Sequence, residues 1–148
     1  MNYVVDTNVL LRSVQTRHPM QRVAYMAIAT LRSQGEKLCL TSQNVIEAWA
    51  VATRPLAYNG LGMTIEQAAR QFGKIKRFFT ILPDNPHILA EWEGIVVQYR
   101  VHGKQAHDAR IVAAMKVHGV TQLLTFNTDD FKRYADITAV HPSNVAAP

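Results

Sequence analysis

MNYVVDTNVLL, residues 1–11, decides how the rest of the chain is read. Tyr3-Val4-Val5 is a short strand that ends directly in Asp6. Short apolar runs of this kind then alternate with amphipathic stretches, the pattern of an α/β fold built on a parallel sheet. From Pro19 the positions Met20, Val23, Ala24, Ala27, Ile28 and Leu31 keep helical spacing, with Pro19 suited to a first turn and Gly35 to a left-handed stop. Leu38 to Thr41 is a second strand. Ser42 offers a cap to a helix whose stripe is Val45, Ile46, Trp49, Ala50 and Thr53, ended by Pro55.

Residues 55–63 (PLAYNGLGM) read as a loop, and Thr64 with Gln67 as a capping box. The helix behind that box should bury Ile65, Ala68, Phe72, Ile75 and Phe79. Thr80 to Leu82 is a strand closed by Pro83. Ile88, Trp92, Ile95, Val96 and Tyr99 mark another helix, stopped near Gly103. Asp108 begins the next, with Ile111, Val112 and Met115 inward and Gly119 at its end. Gln122 to Phe126 and Ile137 to Val140 complete the strands. There is no internal repeat or linker, so one domain is expected over 1–141, with a loose tail at 142–148.

Composition narrows the class. Of the 148 residues 48% are hydrophobic, enough for a well-formed core and against disorder. The lone Cys39 excludes an intrachain disulfide and reads as buried strand packing. No apolar stretch reaches membrane-spanning length, and Asp6 and Arg12 break the first residues as a signal peptide, so a reducing, cytoplasmic setting is expected. The net charge of +5, from 16 Lys+Arg against 11 Asp+Glu, suits a polyanionic partner such as nucleic acid, and equally suits plain solubility.

Open α/β sheets place their sites outside the carboxyl ends of the strands, and acids recur there. Asp6 follows the first strand. Glu47 lies about one turn into the helix after the second. Asp108 opens a helix just before the strand that ends at Phe126, and Asn127, Asp129 and Asp130 follow that strand. Hard divalent cations such as Mg²⁺ or Mn²⁺ take oxygen ligands, and a carboxylate cluster can hold them against a phosphodiester. Each acid also has an ordinary structural reading. Asp6 and Asp108 suit helix caps, Glu47 a solvated helix face, and Asp129 and Asp130 the positive end of a helix dipole. Asp108 shares the phase of Val112 and Met115, an awkward inward position for an unpartnered carboxylate.

Taken together, VVDTNVLL (4–11), SQNVIEAWAV (42–51), HDARIVAAMKVHGV (107–120) and LLTFNTDDF (123–131) resemble the PIN-domain family, most closely its VapC toxins. No single segment is specific; the ordered set of four is. The resemblance implies an α/β/α sandwich with a central parallel sheet of four or five strands. It implies a metal-dependent endoribonuclease that uses Mg²⁺ or Mn²⁺ and is the toxin half of a VapBC toxin–antitoxin pair. Asp6, Glu47, Asp108 and Asp130 are then catalytic, with Asp6, Asp108 and Asp130 as metal ligands and Glu47 as a ligand or the residue that orients the attacking water. Thr7, Thr125, Asn127 and Asp129 are supporting candidates. Asn127 stands where other members carry an acid, which leaves open how this corner of the site is completed.

The family further implies a homodimer and a VapB-like antitoxin. If about four of the acids belong to the site, the remaining surface is more basic than the net charge suggests. Arg12 and Arg17 form one candidate RNA track, and Arg70, Lys74 and Arg77 on one helical face another. Met20, Tyr25 and Met26 suit either an apolar interface or the core. His107 reads as a loop residue rather than a ligand. The competing readings are a non-catalytic RNA- or antitoxin-binding module, and a stand-alone PIN nuclease in RNA processing. A phosphatase of the haloacid-dehalogenase type would want an acid at Asn8 and is disfavoured.

Overall fold

Residues 1–145 are described by a computed structural model of the chain. The strands are β1 Asn2–Val5, β2 Lys37–Thr41, β3 Thr80–Leu82, β4 Gln122–Leu124 and β5 Thr138–Val140. The helices are α1 Thr7–Val14, α2 Gln21–Ser33, α3 Ser42–Thr53, α4 Ile65–Phe78, α5 His87–Gln98 and α6 Gln105–His118. All strand pairs are parallel and the sheet order is β3-β2-β1-β4-β5.

Side chains alternate across each strand and feed two separate cores. Tyr3, Val5, Leu38, Leu40 and Leu124 point into one core, shared with buried residues of α1, α2, α3 and α4. Val4, Cys39 and Leu123 point into the other, shared with Ile88 and Ile95 of α5 and with Ile111, Val112 and Met115 of α6. The result is the expected three-layer sandwich, with the sheet at the upper end of the expected strand number.

The chain winds from β1 to β2 to β3 on one side, then crosses to place β4 on the other side of β1. The strand order therefore reverses between β1 and β4, and their carboxyl ends flank a crevice. In register, Val5 lies opposite Leu124, so Asp6 and Thr125 emerge side by side at that crevice. The Asp6 amide donates to the Leu124 carbonyl across it at 2.9 Å.

Several local expectations are corrected. α1 is marked in the sequence only by Asp6 as a possible cap; it is short, and Asp6 does open it, its carboxylate accepting from the Thr7 amide at 2.8 Å. The cap of α3 is Thr41 rather than Ser42, in a reciprocal box with Asn44. Its buried face is Gln43, Asn44, Ala48 and Ala52, while Ile46 is 67% exposed, so the helix is rotated from the expected stripe toward polar partners at its start. Ile65 sits exposed in the first turn of α4, although the Thr64–Gln67 box forms as expected.

α6 starts at Gln105, three residues before Asp108, behind a Lys104 cap that makes no side-chain bond. His107 is accordingly helical rather than part of a loop. β4 ends at Leu124, two residues short of Phe126, because Thr125 and Phe126 turn toward β5 and α1. Pro142–Asn144 form a 3-10 turn packed on α2, so this part of the expected tail is docked; residues 146–148 lie outside the described residues. Tyr25 and Met26 are exposed on α2 and Met20 is half-buried, which places the first two outside the core. Gly60 has no room for a Cβ, which would lie 1.9 Å from the Arg54 carbonyl oxygen, and this closes the 55–63 loop tightly on the end of α3.

Candidate active site

The crevice between β1 and β4 is built from side chains that follow the strand ends. Asp6 is 8% exposed. One carboxylate oxygen accepts from the Thr7 amide, and the other accepts the Thr125 hydroxyl at 2.7 Å. Thr125 is fully buried, and its Oγ1 also accepts from the Asn127 amide at 3.0 Å. Asn8 closes the same corner. Its amide group lies 3.5 Å from Thr125 Oγ1, and its carbonyl oxygen accepts from the Phe126 amide at 3.4 Å.

Glu47 enters from α3, held at both oxygens. Thr7 Oγ1 donates to Oε2 at 3.2 Å, and Gln43 Nε2 donates to Oε1 at 2.8 Å. Thr7 Oγ1 in turn accepts from Asn44 Nδ2 at 3.2 Å. Asn44 is wholly buried, and its Oδ1 accepts from both the amide and the hydroxyl of Thr41. A polar cascade therefore runs from the end of β2 through Asn44 and Thr7 to Glu47.

Asp108 enters from the first turn of α6. Burial raises its pKa, and the neighbouring charges of Asp130 and Glu47 raise it further against the opposing effects of His107 and Arg133. Burial likewise pushes Asp6 up to about 6, partly countered by its bonds to Thr125 and Thr7 and reinforced by Asp108 and Glu47. Asp6, Glu47 and Asp108 thus repel one another at the carboxyl edge of the sheet, and Asp130 adds its charge to Asp108.

Asp129 does not join them. It is exposed, paired with Lys132 three residues on, and its pKa is lowered by that lysine. Asn127 is exposed, and its backbone amide rather than its position as a would-be acid ties it to Thr125.

The five expected RNA-contacting cations sit on α1, the turn after it and α4. Arg12 is engaged by the Gln15 side chain at 2.6 Å, Arg17 is exposed, and Arg70, Lys74 and Arg77 are exposed along α4. Arg70 and Lys74 line an open groove with Leu61 to Met63. The basic side chains that act on Asp108 are His107 and Arg133. Arg133, Gln43, Asn44 and Asn8 were not singled out from sequence as site components. Gln43 carried a readable signal, four residues before Glu47 on the same helical face. Tyr134, beyond the acidic segment, is buried among Tyr99 and Phe131, and among the described residues its hydroxyl has no hydrogen-bond partner.

The donor set is carboxylate oxygen throughout, the chemistry that hard divalent cations select, and a cation would offset the mutual repulsion of Asp6, Asp108 and Glu47. Among the described residues, no three acidic, histidine or cysteine side chains stand close enough to form a ready-made ligand cage. Mg²⁺-type ions keep several waters and can be held by one or two carboxylates directly, so the fit rests on the donor type alone.

A PIN-domain family model matches residues 3–137, almost the whole described chain. The chain belongs to the PIN-domain family. No curated protein sequence matches it significantly. Its PIN fold is shared with solved toxin–antitoxin structures at low sequence identity. VapBC2 from Rickettsia felis, bound to a DNA fragment from its promoter, superposes with a TM-score of 0.72 at 14% identity, covering 95% of this chain and 98% of that one. VapBC-1 from nontypeable Haemophilus influenzae gives 0.71 at 18% identity, covering 97% and 100%. The sarcin–ricin-loop-cleaving toxin VapC20 from Mycobacterium tuberculosis gives 0.66 at 15%, covering 86% and 92%. No described helix of this PIN domain is long and apolar enough to cross a membrane.

Proposed function

We propose that this PIN-domain protein is a Mg²⁺- or Mn²⁺-dependent endoribonuclease acting as the toxin of a VapBC-type pair. The observation that supports the reading is that Asp6, Glu47 and Asp108 act on one another by charge near the β1/β4 switch point, with Asp130 acting on Asp108. The likeness to VapBC structures and to a toxin that cleaves the sarcin–ricin loop supports it.

Asp6 and Asp108 would hold the metal, with Asp130 supporting it from the open side. When bound, a divalent cation supplies Lewis-acid polarisation of the phosphodiester and a more acidic attacking water. The protein's own groups do the positioning. Thr125 and the Thr7 amide fix both oxygens of Asp6, so its carboxylate cannot rotate away from the crevice. Glu47, held by Thr7 and Gln43, orients the attacking water in line with the leaving oxygen. Cleavage leaves a 5′-phosphate and a 3′-hydroxyl.

Arg12, Arg17, Arg70, Lys74 and Arg77 supply sequence-independent attraction for the RNA backbone around this acidic crevice. A VapB-like antitoxin silences the toxin, two copies pair as a homodimer, and the setting is cytoplasmic. The test is incubation of purified, antitoxin-free protein with total cellular RNA in Mg²⁺, Mn²⁺ or EDTA. Discrete cleavage in either metal that EDTA abolishes is expected. Cleavage insensitive to chelation would remove the metal mechanism, and intact RNA with folded protein would remove the nuclease.

A further inference from the structure

We propose that Gln43 is a positioning residue that locks Glu47 to the helix start carrying Asp108, and that Arg110 holds Gln43 in the working orientation. The inference rests on the nuclease reading above and adds a part to that same site.

Gln43 lies in the first turn of α3, 9% exposed, at the carboxyl edge of the sheet. Its side-chain amide has two N–H groups, and both are used. Nε2 donates at 2.8 Å to Glu47 Oε1 and at 2.8 Å to the carbonyl of His107, the residue before Asp108. Its oxygen accepts from Arg110 Nη1 at 3.3 Å, and the second arm of Arg110 pairs with Asp84 at 3.0 Å. α3 and α6 pack on opposite faces of the sheet, so this amide bridges the two layers over the strand ends, beside the acids.

The chemistry admits one orientation and one residue type. A flipped amide would face its oxygen toward a carboxylate and a carbonyl, and its NH₂ toward a guanidinium, turning three attractions into three repulsions. A glutamate at 43 would have no proton to donate and would repel Glu47. A lysine would neutralise Glu47 by ion pairing and could accept nothing from Arg110. A neutral amide can hold Glu47 while leaving its charge in place. With Thr7 on the other oxygen, Glu47 keeps its remaining lone pairs for a ligand or a water. Arg110 sets the sense of the amide from outside, and Asp84 on the loop after β3 sets Arg110.

The test compares wild type, Gln43→Met and Arg110→Met. Methionine matches glutamine in length and removes every hydrogen bond, and Arg110 is partly solvent-exposed, so its variant keeps the fold if Gln43→Met does not. Each protein is checked by circular dichroism. Cleavage of an RNA oligonucleotide cut by wild type is followed for kcat and KM, and Mn²⁺ affinity is measured separately by calorimetry without RNA. Gln43→Met is expected to lower kcat and Mn²⁺ affinity each by about 10–100-fold, the usual effect of removing a group that orients a ligand, with KM within about twofold. Arg110→Met moves both quantities in the same direction by a smaller factor. A folded Gln43→Met with wild-type kcat and Mn²⁺ affinity overturns the positioning role and leaves the nuclease standing, as does a change confined to KM. If Gln43→Met does not fold, wild-type values in Arg110→Met overturn the proposal. Wild type that neither cleaves nor binds Mn²⁺ overturns both.

Discussion

At the scale of single residues, the candidate site groups carboxylates whose charge is disfavoured by burial and by one another. Burial disfavours the charge of Asp6 and pushes its pKa up to about 6 in the folded chain, from an ordinary value of 3.8. Between these values the native state holds more protons than the unfolded one, so stability falls as pH rises through about 4 to 6 and stays low above it. Two pKa units correspond to about 3 kcal/mol. Metal-free protein in EDTA should therefore resist urea better at pH 5 than at pH 7.5, and Asp6→Asn should flatten that difference. Equal midpoints for wild type at the two pH values would contradict the electrostatic picture. The same reasoning separates the two adjacent acids. Asp130 acts on Asp108, whereas Asp129 is taken up by Lys132. Asp130→Asn should lower metal-dependent cleavage about tenfold or more, while Asp129→Asn stays within about threefold. The reverse order in a side-by-side rate assay would reassign the corner. Residue type and position alone do not separate these two acids, since both follow the same strand; only the family resemblance favours Asp130, and the sequence does not reveal which acid a nearby lysine captures.

At the scale of elements, caps and strand ends carry the site. Asn44 both caps α3 with Thr41 and supports Thr7 behind Glu47, and it is completely buried. Asn44→Ala leaves the Thr41 amide, the Thr41 hydroxyl and Thr7 short of partners, and should cost about 2–3 kcal/mol in urea unfolding. Thr64→Ala, which breaks an exposed capping box at the start of α4, should cost about 1 kcal/mol. If the two losses are equal, the burial argument fails. Periodicity revealed α2, α4 and α5 because their apolar positions face a core. It missed α1, whose eight residues are too few for a repeating stripe, and it started α6 late because Lys104 gives none of the usual capping signals. On α3 the apolar stripe misled in part: Val45 and Trp49 pack against the core, but Ile46 is exposed and polar Gln43 and Asn44 are buried.

At the scale of the whole molecule, strand order brings the candidate site together. Crossing from β3 to β4 sets residues 6 and 125 beside each other and lets acids from α3, α6 and the segment after β4 meet over one edge. The α/β class and the acids at strand ends could be read from alternating apolar runs. The order β3-β2-β1-β4-β5 could not, because pairing between distant strands leaves no local pattern. The hydrogen bonds that orient the acids were legible only in part: Thr7 and Thr125 adjoin strand ends, whereas the cross-sheet link from Gln43 to the His107 carbonyl depends on the packed layers. A metal held by the native crevice and absent from the unfolded chain should raise thermal stability with the logarithm of its excess over Kd. Millimolar Mn²⁺ should therefore raise the melting temperature of wild type and leave Asp108→Asn unchanged. An equal rise in both would place the ion elsewhere. The central claim is that Asp6 and Asp108 together make a metal-dependent ribonuclease. The most direct measurement is the rate of RNA cleavage in Mn²⁺ by wild type, Asp6→Asn and Asp108→Asn, all shown to be folded. The account predicts cleavage by wild type and a loss of at least about 100-fold in each variant; cleavage at wild-type rate in both would contradict it.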